Sequence, residues 1–334
     1  MNENDCIYIH IPRMKLTGGN QISLLLSRYL TERGLKIKVF TGFSLMEPNS
    51  MELKKTERSL FNSFKNIIAF LSCSIFSLFN KNTIATHHLT SVFNFIRPTN
   101  FCFVQDLESQ FYPLHLNFLG NMLWQNYLLS HKKIFTNNVL ANKSGFGLED
   151  IGFSFQKIRD PIVCRKKDID VIMILRDGDY KSFELTILVH EFLLKRKINS
   201  LLINASRKKM VLNSSMESLN QEELFRLFGR SSSFLCLSKW EGLGLPNIES
   251  YLHGCHVLTT AIPSGVILNS AAPESITLLS DICPLSISRS IESILCSQKE
   301  YRNEEFKNRE AVICGMSEKW WGYINYVFNI GIHK

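Results

Sequence analysis

Short apolar runs alternate with segments whose apolar residues recur every three or four positions, and this alternation predicts an α/β chain. Residues 6–11 read as a buried strand, 17–20 as a glycine turn and 21–33 as a helix, in which Ile22, Leu25, Leu26, Tyr29 and Leu30 share one face. Gly34 ends the helix and 36–40 forms the next strand, a βαβ opening that predicts a doubly wound sheet with ligands at the strand C-termini. Gly18 and Gly19 then belong to the floor of a binding site. Further strands are expected at 83–86, 101–105 and 133–136, each followed by polar residues: His87 and His88, Asp106 and Glu108, Asn137 and Asn138. In a parallel sheet these polar groups line one rim.

A fresh series starts with a strand at 169–175. A helix at 181–195, a strand at 200–203, a helix at 221–228, a strand at 234–237, a helix at 246–253 and a strand at 256–260 follow it. Asn220 and Glu223 have the spacing of a capping box. No internal repeat is visible. The longest apolar stretch, 67–79, is about 13 residues and contains three serines, short of the ~20 needed to span a bilayer, so it reads as a core or interfacial helix.

A length of 334 residues calls for two domains, with the change between them expected in 156–168. Hydrophobic residues make up 45% and charged ones 20%, enough to bury two cores. Nine cysteines with no C-x-x-C pair fit neither a disulfide framework nor a zinc site and point to a reducing compartment. The first residues lack the basic-then-apolar layout of a secretory signal, so a cytoplasmic location is expected. A net charge of +8 is scattered in short clusters such as Lys54-Lys55, Arg165-Lys166-Lys167 and Arg207-Lys208-Lys209, without a nucleic-acid module. A partner of nucleic acid is therefore not expected, and an anionic membrane surface suits the charge and the apolar helix better.

The most informative segment is 234–254. It reads as a strand, a turn with Gly242 and Gly244, and a helix opening at Pro246, between two carboxylates, Glu241 and Glu249. A helix start of this kind offers unpaired N–H groups to a diphosphate, and the two carboxylates accept from sugar hydroxyls. The segment Ser238-Lys-Trp-Glu241-Gly-Leu-Gly-Leu-Pro246-Asn-Ile-Glu249 resembles the E-x7-E signature of retaining glycosyltransferases of the family-4 type. Ser250, Tyr251 and Leu252 stand where that family usually has small or methionine side chains.

The resemblance implies the GT-B fold: an N-terminal Rossmann-like acceptor domain over 1–157, a C-terminal nucleotide-sugar domain over 158–315, and a helix in 316–334 that crosses back to the first, with the active site in the cleft between. It also implies that Arg176 and Lys181 clamp the donor diphosphate, in an R-x4-K arrangement followed here by Ser182 where glycine is common. Glu241 would hold the transferred sugar, and Gly242, Leu243, Gly244, Leu245 and Glu249 the nucleotide, with Gly18 and Gly19 on the donor side of the first domain. His87 and His88 stand where related enzymes keep a histidine near the reacting sugar. The run from Phe103 to Pro113, with Gln105, Asp106, Glu108 and Tyr112, resembles a segment of bacterial rhamnosyltransferases, which implies deoxythymidine-diphosphate rhamnose as donor, with UDP- and GDP-sugars as alternatives. There Asp106 takes a catalytic position and Glu108 orients acceptor or sugar.

No cofactor and no metal are expected. Asp177-Gly178-Asp179 has the form of a D-x-D metal motif, but bracketed by two cations it reads as a polar turn. The reading is then retaining transfer to a glycan or lipid-linked oligosaccharide in surface polysaccharide synthesis, O-antigen or capsule. Its rivals are a catalytically idle nucleotide-sugar-binding partner in a membrane-associated assembly and a GT-B-like sugar-nucleotide isomerase.

Overall fold

The structure is a computed structural model that describes residues 6–12, 17–53, 60–155, 161–162, 164, 167–206, 208, 214–217, 219–297 and 303–330. The chain divides into two compact units, Met1–Gln156 with Lys319–Lys334, and Lys157–Glu318. The expected boundary at 157/158 lies outside the described residues, as do Lys54, Lys55, Arg165, Lys166, Arg207 and Lys209 of the basic clusters.

The first unit contains β1 (Ile7–His10), α1 (Gly18–Glu32), β2 (Ile37–Phe40), β3 (Leu45–Met46), α2 (Leu60–Phe79), β4 (Thr83–Ala85), β5 (Phe101–Val104), α3 (Asn117–Tyr127), β6 (Lys132–Phe135) and α4 (Asn138–Lys143). Its sheet runs β3-β2-β1-β4-β5-β6, parallel except for β3. Four-residue strands such as Phe-Cys-Phe-Val of β5 are buried on both faces, as a covered parallel sheet requires. α1 begins at Gly18, three residues before the expected start, because the Thr17 hydroxyl accepts from Asn20 N–H and caps the turn as helix. α1 buries Ile22, Leu26 and Leu30 against the sheet.

The second unit contains β7 (Ile169–Leu175), α5 (Phe183–Lys195), β8 (Ser200–Asn204), β9 (Ser215–Glu217), α6 (Gln221–Arg230), β10 (Ser231–Cys236), α7 (Leu245–Leu252), β11 (His256–Thr259), α8 (Pro263–Ala271), β12 (Ile276–Leu278) and α9 (Pro284–Ser297). All its strands are parallel, in the order β12-β11-β10-β7-β8-β9. The capping box expected at α6 is present, with reciprocal bonds between Asn220 and Glu223.

α10 (Asn303–Phe328) is 26 residues long and starts well before the expected helix. Arg309 is buried in the second unit, where it donates to the carbonyls of Tyr251 and Cys255. Further along, Trp320 is fully buried in the first core and donates to Phe135 O, and Trp321 stacks on Tyr29 at 3.8 Å.

In each unit the strand order reverses direction of growth once, between β1 and β4 and between β7 and β10. At such a switch point the loops leaving the two strands diverge to opposite faces of the sheet and leave a crevice at the strand C-termini. Gly18, Gly19, His87 and His88 follow β1 and β4, and Arg176, Lys181 and Glu241 follow β7 and β10, while Asp106 and Glu108 follow β5 and Glu249 lies on α7.

Candidate active site

In the second unit the chain leaves β7 through Arg176, turns at Gly178 and reaches Lys181 in a short 3-10 turn before α5. It leaves β10 through Ser238, Trp240 and Glu241 and enters α7 at Leu245. The two loops are joined by Lys239 N–H donating to Tyr180 O at 2.7 Å and by the Tyr180 ring stacking on Trp240 at 4.3 Å. This joint delivers Lys181 Nζ to Glu241 Oε2 at 2.5 Å, while Ser238 Oγ donates to Oε1 at 2.9 Å. The Thr260 hydroxyl in turn holds the Ser238 carbonyl. Both oxygens of Glu241 are thus oriented by donors from its own unit.

Arg176, Lys181, Ser238, Glu241, Gly244 and Asn247 line one pocket, floored by the apolar end of β10. Gly244 is at φ +91°, and a Cβ there would stand 2.6 Å from Ser264 Oγ and 2.8 Å from Ile262 Cδ1. Only glycine permits both that backbone and that approach. Asn247 is buried and its amide donates to Thr259 Oγ1 and Ser264 Oγ, which ties α7 to the end of β11 and the first turn of α8. Gly242 and Leu243 are buried in the turn and Leu245 opens the helix. Glu249, half-buried on α7, is not among the lining residues. Burial pushes its carboxyl up, against the Arg176 charge and a hydrogen bond with Gln221. Arg176 therefore links the pocket to the second carboxylate of the motif.

In the first unit, His10 ends β1, His87 and His88 follow β4, and Gln105 to Glu108 follow β5. Gly18 and Gly19, expected in a turn, are the exposed first residues of α1. The absence of a side chain at Gly19 admits Gln105 Oε1 to 2.8 Å from where a Cβ would be, and the Gln105 amide donates to Ser23 Oγ and Thr86 O. Asp106 is half-buried and accepts from Leu107 N–H.

Glu108 and His88 differ from the expected sugar-facing position: they are 4% and 2% exposed. Glu108 Oε2 accepts from His88 N–H at 2.6 Å and meets His88 Nδ1 at 2.7 Å, and His88 Nε2 meets the Tyr112 hydroxyl at 2.6 Å. Burial pushes the Glu108 carboxyl up, but the neighbouring His87 and the hydrogen bonds from His88 outweigh it and hold the group below the usual carboxylate range. His87 stacks on His88 at 4.3 Å and keeps 27% of its side chain exposed; burial pushes its imidazole down to about 4. Of the two histidines, His87 faces outward and His88 is the buried link. The Glu108 carboxylate is joined to the half-buried Tyr112 through His88 and lies 3.9 Å from His87 Nε2.

His87, His88 and Glu108 are also the one grouping among the described residues with three metal-ligand side chains, whose ligand atoms lie within 4.8 Å of one another. Both His88 ring nitrogens are occupied by direct hydrogen bonds, the geometry of a relay from carboxylate to imidazole to phenol. Ser238, Asn247 and Tyr112 were not singled out by sequence reasoning. All three lie inside the quoted motifs, and Asn247 stands out there as a polar residue between Pro246 and Ile248 on a buried helix face.

No protein-family model matches the chain, and no curated protein matches it. Solved structures do. The chain is similar to sucrose-phosphate synthase from Thermosynechococcus elongatus, with a TM-score of 0.67 at 13% identity over 98% of this chain and 100% of that one. It is similar to WaaG, a glycosyltransferase involved in lipopolysaccharide biosynthesis, with a TM-score of 0.63 at 12% identity over 96% and 98%. Anabaena HepE in complex with UDP and glucose gives 0.60 at 9% identity over 96% and 99%. These likenesses, with two doubly wound parallel sheets, define the fold as GT-B.

Proposed function

We propose that the protein is a retaining glycosyltransferase that moves a sugar from a nucleotide-diphosphate donor to a glycan or lipid-linked oligosaccharide. The observation that carries this reading is the pocket at the β7/β10 switch point, where Arg176, Lys181, Ser238, Glu241 and the start of α7 converge. Two cations and a helix start suit a diphosphate: arginine supplies a fork of donors, lysine a mobile point charge, and both stabilise the charge that grows on the leaving nucleotide. Glu241 accepts from hydroxyls of the transferred sugar and Glu249 from the sugar of the nucleotide. The leaving phosphate takes the acceptor's proton on the face it departs from, so no protein nucleophile and no metal are required.

The donor is proposed to be deoxythymidine-diphosphate rhamnose, on the resemblance of the segment from Phe103 to Pro113, and the product a surface polysaccharide such as O-antigen or capsule. HepE was solved with UDP and glucose and WaaG is named for lipopolysaccharide biosynthesis, which supports a nucleotide sugar and a cell-surface glycan. The work is proposed to take place in the cytoplasm at the inner face of the cell membrane.

Thermal-shift measurement against UDP, GDP and deoxythymidine diphosphate, free and sugar-linked, tests the reading. A bound donor at about 100 times its Kd stabilises by about 2.7 kcal/mol and raises the melting point. The absence of a shift with every nucleotide would overturn the assignment, and a shift only with UDP-sugars would overturn the rhamnose donor.

A further inference from the structure

α2 is built the wrong way round for a helix whose only partner is its own core. Phe64, Ile67, Ile68, Leu71, Ile75 and Phe79 recur at three- and four-residue spacing on one face, and each is 39–76% exposed. The face turned to the domain buries small residues, Ala69, Cys73, Ser74 and Ser77, around one large one, the half-buried Phe76 that stacks on Phe40. Gly42 lets the neighbouring loop approach this small-residue face so closely that a Cβ there would stand 2.6 Å from Ala69 O. Burial of apolar surface drives folding, so a helix that keeps Phe64, Ile67, Ile68, Leu71, Ile75 and Phe79 outside has a partner for them outside. Arg97 donates to Leu78 O and sets Phe95 and Ile96, 67% and 63% exposed, beside the C-terminal end of the same stripe.

The charge around the stripe narrows the partner. From 60 to 105 the chain has three basic residues, Lys65 on α2, Lys81 just past its end and Arg97, which donates to Leu78 O, and no acidic one. No helix of the described residues is long and apolar enough to cross a membrane. An apolar face with a lysine at each end, Lys65 and Lys81, on a helix that does not span fits the surface of an anionic bilayer, with the side chains in the acyl boundary and the cations at the headgroups.

We infer that α2 docks this protein on an anionic lipid surface through the stripe from Phe64 to Phe79. This deepens the membrane contact in the proposed function and is independent of the sugar chemistry. It has a consequence for the first-unit site: Phe70, on the same helix, packs against His87 at 4.8 Å, so the histidine pair sits one helix thickness from the lipid. An acceptor carried on a lipid would arrive beside it.

Co-sedimentation of the full chain with vesicles of equal parts phosphatidylglycerol and phosphatidylcholine, and with phosphatidylcholine alone, tests the inference. The wild type is expected to bind the anionic vesicles, more weakly at high salt. Combined Ile67→Ser, Leu71→Ser and Ile75→Ser should lower that partitioning at least about tenfold, and Lys65→Gln with Lys81→Gln should lower it for anionic vesicles alone. The thermal shift with nucleoside diphosphates should be unchanged, which separates failure of docking from failure of the transferase reading. If the triple variant loses its melting transition, Phe79→Ser at the exposed helix end is read in the same assay. Wild type that stays in the supernatant, or stripe variants that sediment like wild type, would overturn the proposal. So would a dimer by light scattering that the stripe variants convert to monomer, since the stripe would then be a subunit interface.

Discussion

Lys181 Nζ lies 2.5 Å from Glu241 Oε2, and both side chains are almost out of solvent. In this arrangement the cation proposed for the diphosphate is held by the carboxylate proposed for the sugar. Removing one partner of a buried pair strands the other, at a cost on the order of 3 kcal/mol. Lys181→Met should therefore lower the melting point and weaken nucleoside-diphosphate binding tenfold or more, read by calorimetry. Lys181→Arg should recover stability better than affinity, because the longer fork still reaches Glu241 but changes the geometry offered to phosphate.

Gly244→Ala tests the pocket's backbone. Its left-handed φ and the contact with Ser264 and Ile262 leave no relaxed position for a methyl group. The expected loss is about 1–3 kcal/mol in chemical denaturation, with donor binding lost together with stability because α7 shifts at its first turn.

Glu108→Gln isolates the first-unit relay. The amide keeps the size of the carboxyl but removes the charge that receives two bonds from His88, at a cost of about 1–3 kcal/mol. Donor affinity should stay at the wild-type value, since Glu108 bonds to His88 and the diphosphate clamp of Arg176 and Lys181 belongs to the other unit, while transfer to acceptor falls at least about tenfold. Tyr112→Phe, which removes only the outer end, should reproduce the loss of transfer with a smaller change in stability.

Stability should fall in mild acid. Burial pushes His10 down to about 3 and His87 and His256 down to about 4, from an ordinary value near 6.5. Between these limits the unfolded chain binds protons that the native chain refuses, so stability is full above about 6.5 and declines as pH falls toward 4. The loss is on the order of 1 kcal/mol per pH unit for each such group. Melting points between about pH 7 and about pH 5 should trace this decline. His10→Phe, which leaves an aromatic ring beside Phe40 and Phe76, should make the slope shallower.

Most strands of both sheets were legible because a buried parallel strand is a short apolar run bounded by polar turns. β7 matches its expected limits, and β8, β10 and β11 differ from theirs by one to three residues. Edge strands β3, β9 and β12, two or three residues each, were not legible, since pairing with a neighbour defines them rather than any apolar pattern. α1 began early because a threonine cap outweighed two glycines, a local hydrogen bond that propensity alone does not rank.

Sequence by itself determined the α/β character, the two series of strands and helices, and the motif residues of the β7/β10 pocket, because hydrophobic period and glycine placement are local properties of the chain. Tertiary structure decided which groups meet: Lys181 with Glu241, Glu108 with His88 and Tyr112, and the burial of His88 behind His87. It also decided that α2 turns Ala69, Cys73, Ser74, Phe76 and Ser77 inward and Phe64, Ile67, Ile68, Leu71, Ile75 and Phe79 out. The physical reason is that both faces of α2 are apolar enough to be buried, so periodicity could not choose between them. The loops and sheet packed against the small-residue face made that choice.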